Sequence, residues 1–320
     1  MKNLKLLLVS LAILFSHNFT VGQGSKDSNK EKSAVKSALN AFKFRSIGPA
    51  FMSGRIADIA IDPMNENVWY VAVGSGGVWK TENAGTTWSP IADNMPFYST
   101  GCITIDPHNN ASIWLGTGEN VGGRHVGIGH GVYHSKDGGK SWKDMGLKKS
   151  EHISKIIVHP EDPNTVWVAS QGPLWSPGGE RGLYKTTDGG KTWKNTLDIN
   201  EWTGVTDLVI DPTNPDILYA ASWQKHRNVA ALIGGGPGTS LYKSIDGGNS
   251  WSKIDKGLPK SNKGKIGLAI SPMQPNVLYA AVELDKRTGA VYRSDNSGGC
   301  LLYTSPSPRD LSTSRMPSSA

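Results

Sequence analysis

The chain has 320 residues, with 34 Lys and Arg against 27 Asp and Glu, a formal charge of +7 and two cysteines. With Lys2 and Lys5 assigned to a leader and Arg309, Asp310 and Arg315 to a tail, the charge falls to +4, a bias too mild to argue for a nucleic-acid partner. The same assignment leaves Cys102 alone, which excludes an internal disulfide; a domain of this size can bury its own core without one.

Residues 1–22 read as a secretory signal peptide. Lys2 and Lys5 make a basic start, Leu6 to Phe15 is an apolar run too short to cross a bilayer as a helix, and Thr20-Val21-Gly22 offers small residues for cleavage. A secreted or periplasmic protein with no membrane span is therefore expected. Residues 23–41, rich in Lys and Ser, are expected to be a flexible lead-in.

From Phe42 onward the chain repeats itself. Four segments match Ser/Thr-x-Asp/Asn-x-Gly-x-x-Trp, pairing Asn83 with Trp88, Asp137 with Trp142, Asp188 with Trp193 and Asp246 with Trp251, and their tryptophans lie 54, 51 and 58 residues apart. A fifth begins at Ser294 with Asn296 and breaks off at Gly299. Between them recurs a second motif, Ile61-Asp62-Pro63, Ile105-Asp106-Pro107, Val158-His159-Pro160, Ile210-Asp211-Pro212 and Ile270-Ser271-Pro272, each followed by a β-rich run such as Val68 to Val73. Every unit reads as four short strands, in the first Arg55 to Ile61, Val68 to Val73, Gly77 to Thr81 and Thr87 to Ile91, punctuated by Gly, Pro, Asn and Asp.

Four strands per unit of roughly 50 residues is the arithmetic of a β-propeller blade. The fold class expected is all-β: a propeller over 42–299, with blades near 44–97, 98–150, 151–202, 203–262 and 263–299, four complete and the fifth cut short. Five blades are fewer than a closed ring of this type needs, so an open arc is expected. Its partners would include missing C-terminal blades of its own chain, and Phe42 to Ile47 would be a closing outer strand. Cys300 to Ala320 share nothing with the repeats and resemble a translated sequencing adaptor, so 300–320 are expected to be a non-native tail.

The Asp-box residues have a structural job. The carboxylate or amide accepts hydrogen bonds from turn N–H groups, the Gly supplies a backbone conformation that a Cβ opposes, and the Trp is buried. A repeated turn disperses its carboxylates and does not gather them into a metal or catalytic cluster.

These boxes resemble the bacterial neuraminidase repeat. The run from Phe42 to Gly299 resembles the sortilin-type propeller repeats of exported bacterial proteins, often labelled glycosyl hydrolase-like. The stretches that carry the likeness are Phe44 to Pro49, Met52 to Ile56, Gly116 to Asn120, Ser150 to Ile153 and Glu180 to Lys185. The resemblance implies the fold and leaves the activity open, because such repeats serve sialidases, glucanases, receptors and assembly factors.

Strand parity then separates two ends. With strands named A to D, the Asp-Pro turns (A–B) and the Asp boxes (C–D) share one end. The B–C loops and the links into the next strand A share the other. The first end is uniform. The second varies from Gly74–Gly77 through Gly116–Gly131 and Ser170–Gly182 to Ala221–Ser240, and variable loops on a repeated scaffold are where binding lives. Candidate ligand-binding residues on that end are Arg55, Glu119, Arg124, His152, Arg181, Trp202, Trp223 and Arg227, beside His125, His130, Trp175 and Lys225. Trp202 and Trp223 would either pad neighbouring blades or stack on a ligand. Arg55 and Arg181 would either pair with Glu119 or Glu180 in the channel or bind an anion. The spacing of His125, His130 and His134 matches no zinc pattern, and Gly234 to Gly238 lacks the Lys-Ser/Thr of a phosphate loop, so no metal and no cofactor are expected.

Two functions follow. A sialidase resembling the family would open on an uninterrupted Phe/Tyr-Arg-Ile-Pro motif, whereas this chain has Phe44-Arg45-Ser46-Ile47-Gly48-Pro49. A xyloglucanase resembling the family would carry an Asp where Gly74 stands, just before the turn Gly76-Gly77. Catalysis would then fall to a pair drawn from Glu119, Glu151 and Glu180. The favoured reading is a secreted non-catalytic propeller engaging a peptide, protein or glycan on its B–C loop face. The alternative is a glycoside hydrolase acting on extracellular glycans.

Overall fold

The computed structural model describes residues 55–304, except 122, 124–125 and 285–287. The leader, the lead-in, Phe42 to Ile47, Arg124 and residues 305–320 lie outside them. The described residues belong to one compact unit, Ser53–Ala320. Among them no helix is long and apolar enough to cross a membrane.

The alternating segments form five four-stranded antiparallel sheets, each in the order A-B-C-D. Strands A are Ile56–Ile61, Thr100–Asp106, Ile153–Val158, Thr203–Asp211 and Ile266–Ile270. Strands B are Trp69–Val73, Asn109–Thr117, Val166–Ser170, Asn214–Gln224 and Leu278–Glu283. Strands C are Gly77–Thr81, Val132–Ser135, Gly182–Thr186, Leu241–Ser244 and Gly289–Ser294. Strands D are short: Ser89–Pro90, Lys143–Asp144, Lys194–Leu197, Ser252–Lys253 and Leu302–Tyr303.

The last of these corrects one expectation. The fifth blade does not stop at Gly299. Asn296 Oδ1 accepts from Ser294 Oγ at 2.8 Å and from Cys300 N at 2.9 Å, closing the fifth box. Leu301 is fully buried in the box tryptophan's place, and Leu302–Tyr303 pairs with Tyr292 and Arg293. The reason is that turn and ladder bonds use backbone groups, which any residue supplies.

The box oxygens accept from the turn N–H groups, but the box tryptophans are not buried as expected. Trp142, Trp193 and Trp251 are half-buried and Trp88 is exposed, because each ring lies against the preceding blade and the first blade has none before it among the described residues. In the third, Asp188 Oδ1 accepts from Lys191 N at 2.9 Å and Thr192 N at 3.0 Å, and Thr192 Oγ1 donates to Oδ2 at 2.7 Å. Gly190 sits at φ 82°, and a Cβ there would meet Met145 Cε at 2.8 Å and Trp114 Cη2 at 2.9 Å, both from the preceding blade. Hydrogen bonds from Ser141, first its hydroxyl and then its backbone N–H, bring Asp137 down to about 2.

The boxes also join the blades. Trp142 Nε1 donates to Ile91 O at 3.1 Å, Trp193 Nε1 to Met145 O at 2.7 Å, and Trp251 Nε1 to Thr196 Oγ1 at 3.4 Å, each reaching the blade before it. In return, strand B aromatics reach forward to the next box: Trp167 Nε1 donates to Gly247 O at 3.1 Å and Tyr219 O–H to Ser297 O at 3.1 Å. Strands A are tied in the same sense. Ile103 N donates to Asp58 Oδ2, Thr104 Oγ1 to Ile156 O, Ser154 Oγ to Val205 O and Leu268 N to Asp207 Oδ2, at 2.7 to 3.1 Å.

Four separate hydrophobic cores lie between these five blades, one per junction. A closed ring of five would need a fifth core, so the described blades form an open arc. Its two ends leave Ile59 and Ile61 of the first blade and Val291 and Tyr303 of the fifth exposed.

Trp167 is fully buried at the junction of the third and fourth blades. Trp167→Ala should cost about 3–5 kcal/mol in urea unfolding. Trp88→Ala should cost clearly less, because Trp88 is 38% exposed on the outer face of the first blade.

Candidate functional site

In four blades the strand A–B register skips one residue: Ala57, Gly101, Ser154 and Thr206. A bulge bends the strand and re-aims the extra residue. Here the four skipped residues line one cavity of about 270 Å³, together with Asn120, Lys155 and Lys265. The arc thus wraps a channel whose wall is set by these bulges. Asp58 and Asp207 also line it, and the backbone amides of the neighbouring strand engage both carboxylates.

Glu119 lies where strand B of the second blade runs out into its loop, and it is 1% exposed. Arg55 Nη2 donates to its Oε1, Ser75 Oγ donates to the same oxygen at 2.9 Å, and Gly127 N donates to Oε2 at 3.0 Å. Three donors therefore hold this carboxylate, and it joins the first blade to the loop of the second. A Cβ on Gly74 would stand 2.8 Å from Glu119 Oε1. The space beside Gly74, where the resemblance would place a catalytic Asp, is filled by the Glu119 carboxylate. Glu151 stands at φ 56° and its carbonyl accepts from Gly129 N at 2.8 Å. Glu180 Oε2 accepts from Lys149 N at 2.7 Å.

Of the two expected arginine roles, Arg55 takes the ion pair with Glu119. Arg181 takes neither. Its buried guanidinium donates to the carbonyls of Gly178, Gln171 and Ser176, each at 2.8 Å, and to that of Pro173. It clamps the 171–181 loop around itself. Five N–H donors suit a loop whose carbonyls turn inward, and glycines at 172, 178 and 179 allow that turn. Burial lowers Arg181 to about 10, with Glu151 and Glu201 opposing.

Trp223 is buried, its Nε1 donates to Gly234 O at 2.9 Å, and it is closed to ligand stacking. Two lysines flank it: Lys225 Nζ stands 5.0 Å and Lys265 Nζ 5.6 Å from the ring centre. Lys225 is fully buried and donates to Gln171 Oε1. Gln171 Nε2 donates to Asn120 Oδ1, and Lys265 Nζ donates to both oxygens of Asn120 at 2.9 Å. This chain of contacts ties the loops of blades two, three and four to the fifth blade. His152 is also buried, with Nδ1 unpartnered among the described residues. Burial, then Lys225, lowers it to about 3. Sequence reasoning missed Gln171 and Lys265. The one signal for Lys265 was its position just before a strand A, as for Arg55 and His152.

One exposed part of this end is aromatic and apolar. Trp175 is 49% exposed, with the buried Arg227 guanidinium 5.8 Å from its ring centre. Trp202 is partly exposed and packs on His226 at 4.0 Å. A small hairpin, His226–Arg227 against Leu232–Ile233, carries exposed Val229, Leu232 and Ile233. Arg227 and His226 thus join Trp175, Trp202 and the hairpin into one ridge of planar and apolar groups. No group of three metal-ligating side chains occurs among the described residues.

Comparison with known proteins agrees with this architecture. Residues 130–263 match the family model described as Sortilin, neurotensin receptor 3. The fold is an Asp-box β-propeller whose blades are similar to the sortilin-type repeat. A xyloglucanase of Hypocrea jecorina is 22% identical over 304 residues, covering 85% of this chain and 35% of that protein. A chloroplastic photosystem II stability/assembly factor of Oryza sativa subsp. japonica is 30% identical over 190 residues, covering 51% of this chain and 40% of that protein. The crystal structure of the Niastella koreensis GH74 enzyme superposes with a TM-score of 0.58 at 18% identity, covering 78% of this chain and 38% of that one. The chain therefore spans well under half the length of each of these relatives.

Burial, then the charges of Lys265 and Arg181, lowers the Lys225 ammonium from 10.5 to about 7. Between pH 7 and 10 the unfolded chain holds a proton that the folded chain has released. Stability from this group should therefore rise with pH across that window. Lys225→Met should flatten the rise, read as the urea midpoint at pH 7 against pH 9.

Proposed function

We propose that this chain is an exported binding propeller that engages a peptide, a protein or a glycan on its B–C loop end without cleaving it. The observation that supports this is the commitment of two of the loop-end carboxylates. Glu119 is buried under three donors, and Glu180 caps a backbone N–H of the neighbouring link. An acid–base pair for glycosidic cleavage needs two carboxyls free to exchange protons across one bond. Open to a ligand is the ridge of Trp175, Trp202 and the apolar hairpin, with Tyr98 exposed on the same end. Planar, half-exposed rings fit sugar faces and apolar peptide side chains alike.

One observation favours a second reading, a glycoside hydrolase. The Glu119 carboxylate lies in the space beside Gly74, and a xyloglucanase is among the relatives. In that reading Arg55 would release Glu119 when substrate enters.

Two measurements on the same protein separate the readings. Trp175→Ala should weaken binding to the best ligand from a glycan and peptide screen at least about fivefold, roughly 1 kcal/mol. No reducing sugar should be released from any glycan tested. Release that disappears in Glu119→Gln would replace the binding reading with the hydrolase.

A further inference from the structure

A second cleft on the loop end uses residues other than those of the ridge. It holds about 560 Å³ between Gly236-Pro237 of the fourth B–C loop and the 253–263 segment that leads into the fifth blade. Its walls are joined: Gly236 N donates to Lys263 O at 3.2 Å, and the two residues form an isolated antiparallel bridge. Leu258 is buried beneath it.

Charge sets this cleft apart. Lys253, Lys256, Lys260 and Lys263 line it against one carboxylate, Asp255. Lys263 is buried and its Nζ caps the carbonyls of Pro259 at 3.0 Å and Ser261 at 3.3 Å, so it holds the segment in its curve. Lys253 stands 3.5 Å from Asp255. Lys256 and Lys260 are exposed, one on each side of the Gly257-Leu258-Pro259 turn, with no acidic partner within ion-pair distance among the described residues. The same four-lysine run sits on a chain whose overall charge is only mildly positive, so the field is local to this cleft.

We propose that this cleft is a binding site for an anionic polysaccharide. Flexible ammonium groups at spaced positions match repeated single charges along a chain, whereas a lone carboxylate or phosphate is better gripped by the bidentate fork of arginine, and no arginine lines the cleft. The remaining lining, Ser261, Asn262 and the Gly-Pro backbone, offers hydroxyl, amide and carbonyl partners to sugar hydroxyls. No aromatic ring lines it, which removes the stacking platform that single-stranded nucleic acids use. The negative groups are uronate carboxylates or sulfate esters. The site goes beyond the ridge reading, since it uses different residues and a different force.

The test is binding of the full chain to polygalacturonate, a sulfated galactan, a neutral glucan, polyglutamate and single-stranded DNA, each at 50 and 200 mM NaCl. One or both anionic polysaccharides should bind, and which one identifies the source of charge. Binding should weaken severalfold at the higher salt. Lys256→Glu with Lys260→Glu should lower it at least tenfold. Lys256→Gln with Lys260→Gln serves if the charge-reversed pair does not fold. Lys140→Glu with Lys191→Glu, the same charge change on the Asp-box end, should leave binding within twofold. The proposal is overturned if neither anionic polysaccharide binds or the neutral glucan binds equally. It is also overturned if DNA or polyglutamate binds more tightly, or if both double variants weaken binding alike. A ridge variant tested on neutral ligands reports separately on the other site.

Discussion

The joint between consecutive blades is the interaction on which the rest depends. An aromatic donor in one blade, Trp167 or Tyr219, reaches the Asp-box turn of the next, and at the junction of the third and fourth blades the box tryptophan Trp251 reaches back. The turn can receive these contacts because its own N–H groups are already satisfied by the box carboxylate and its glycine leaves the room for the neighbouring ring that a Cβ would take. A sheet of four strands cannot bury both faces alone. The joint supplies the missing cover at each junction, with Trp114, Trp167 or Tyr219 of strand B packed toward the next box.

That constraint explains why the two ends differ. The box end must stay uniform, since each turn is also its neighbour's docking surface. The loop end carries no such duty, so loops of different length and chemistry grow there. They still need internal support, and charged side chains, several of them buried, provide it. Arg55 and Glu119 fasten the first two blades, Arg181 fills its own loop, and Lys225 with Gln171, Asn120 and Lys265 ties the remaining loops together. Buried cations satisfied by carbonyls and amides are costly, as the lowered Lys225 shows. They set loop geometry at the expense of stability.

The boxes, strands and blade spacing were legible because each repeats locally, and a local repeat survives whatever surrounds it. Arg181 and Trp223 were not legible in the same way. Both had two reasonable roles from their residue type, and the loop that surrounds each decided between them. The stop at Gly299 was read from side chains that cease to match, but backbone ladder and box bonds carry the fifth blade on to Leu302 and Tyr303. Gln171 looked like an ordinary loop residue, and its place between Lys225 and Asn120 joins positions more than 50 residues apart.

The sequence by itself determined the all-β class, the four-stranded unit, the box turns and the sorting of uniform from variable ends, since strand alternation and turn chemistry act over a few residues. The tertiary structure alone decided which charges face one another. It placed Glu119 in the space beside Gly74, withdrew Arg181 and Trp223 from the surface, and gathered the lysines of 253–263 against Gly236 into one cleft. Electrostatics and burial depend on distance through space, and distance along the chain does not report it.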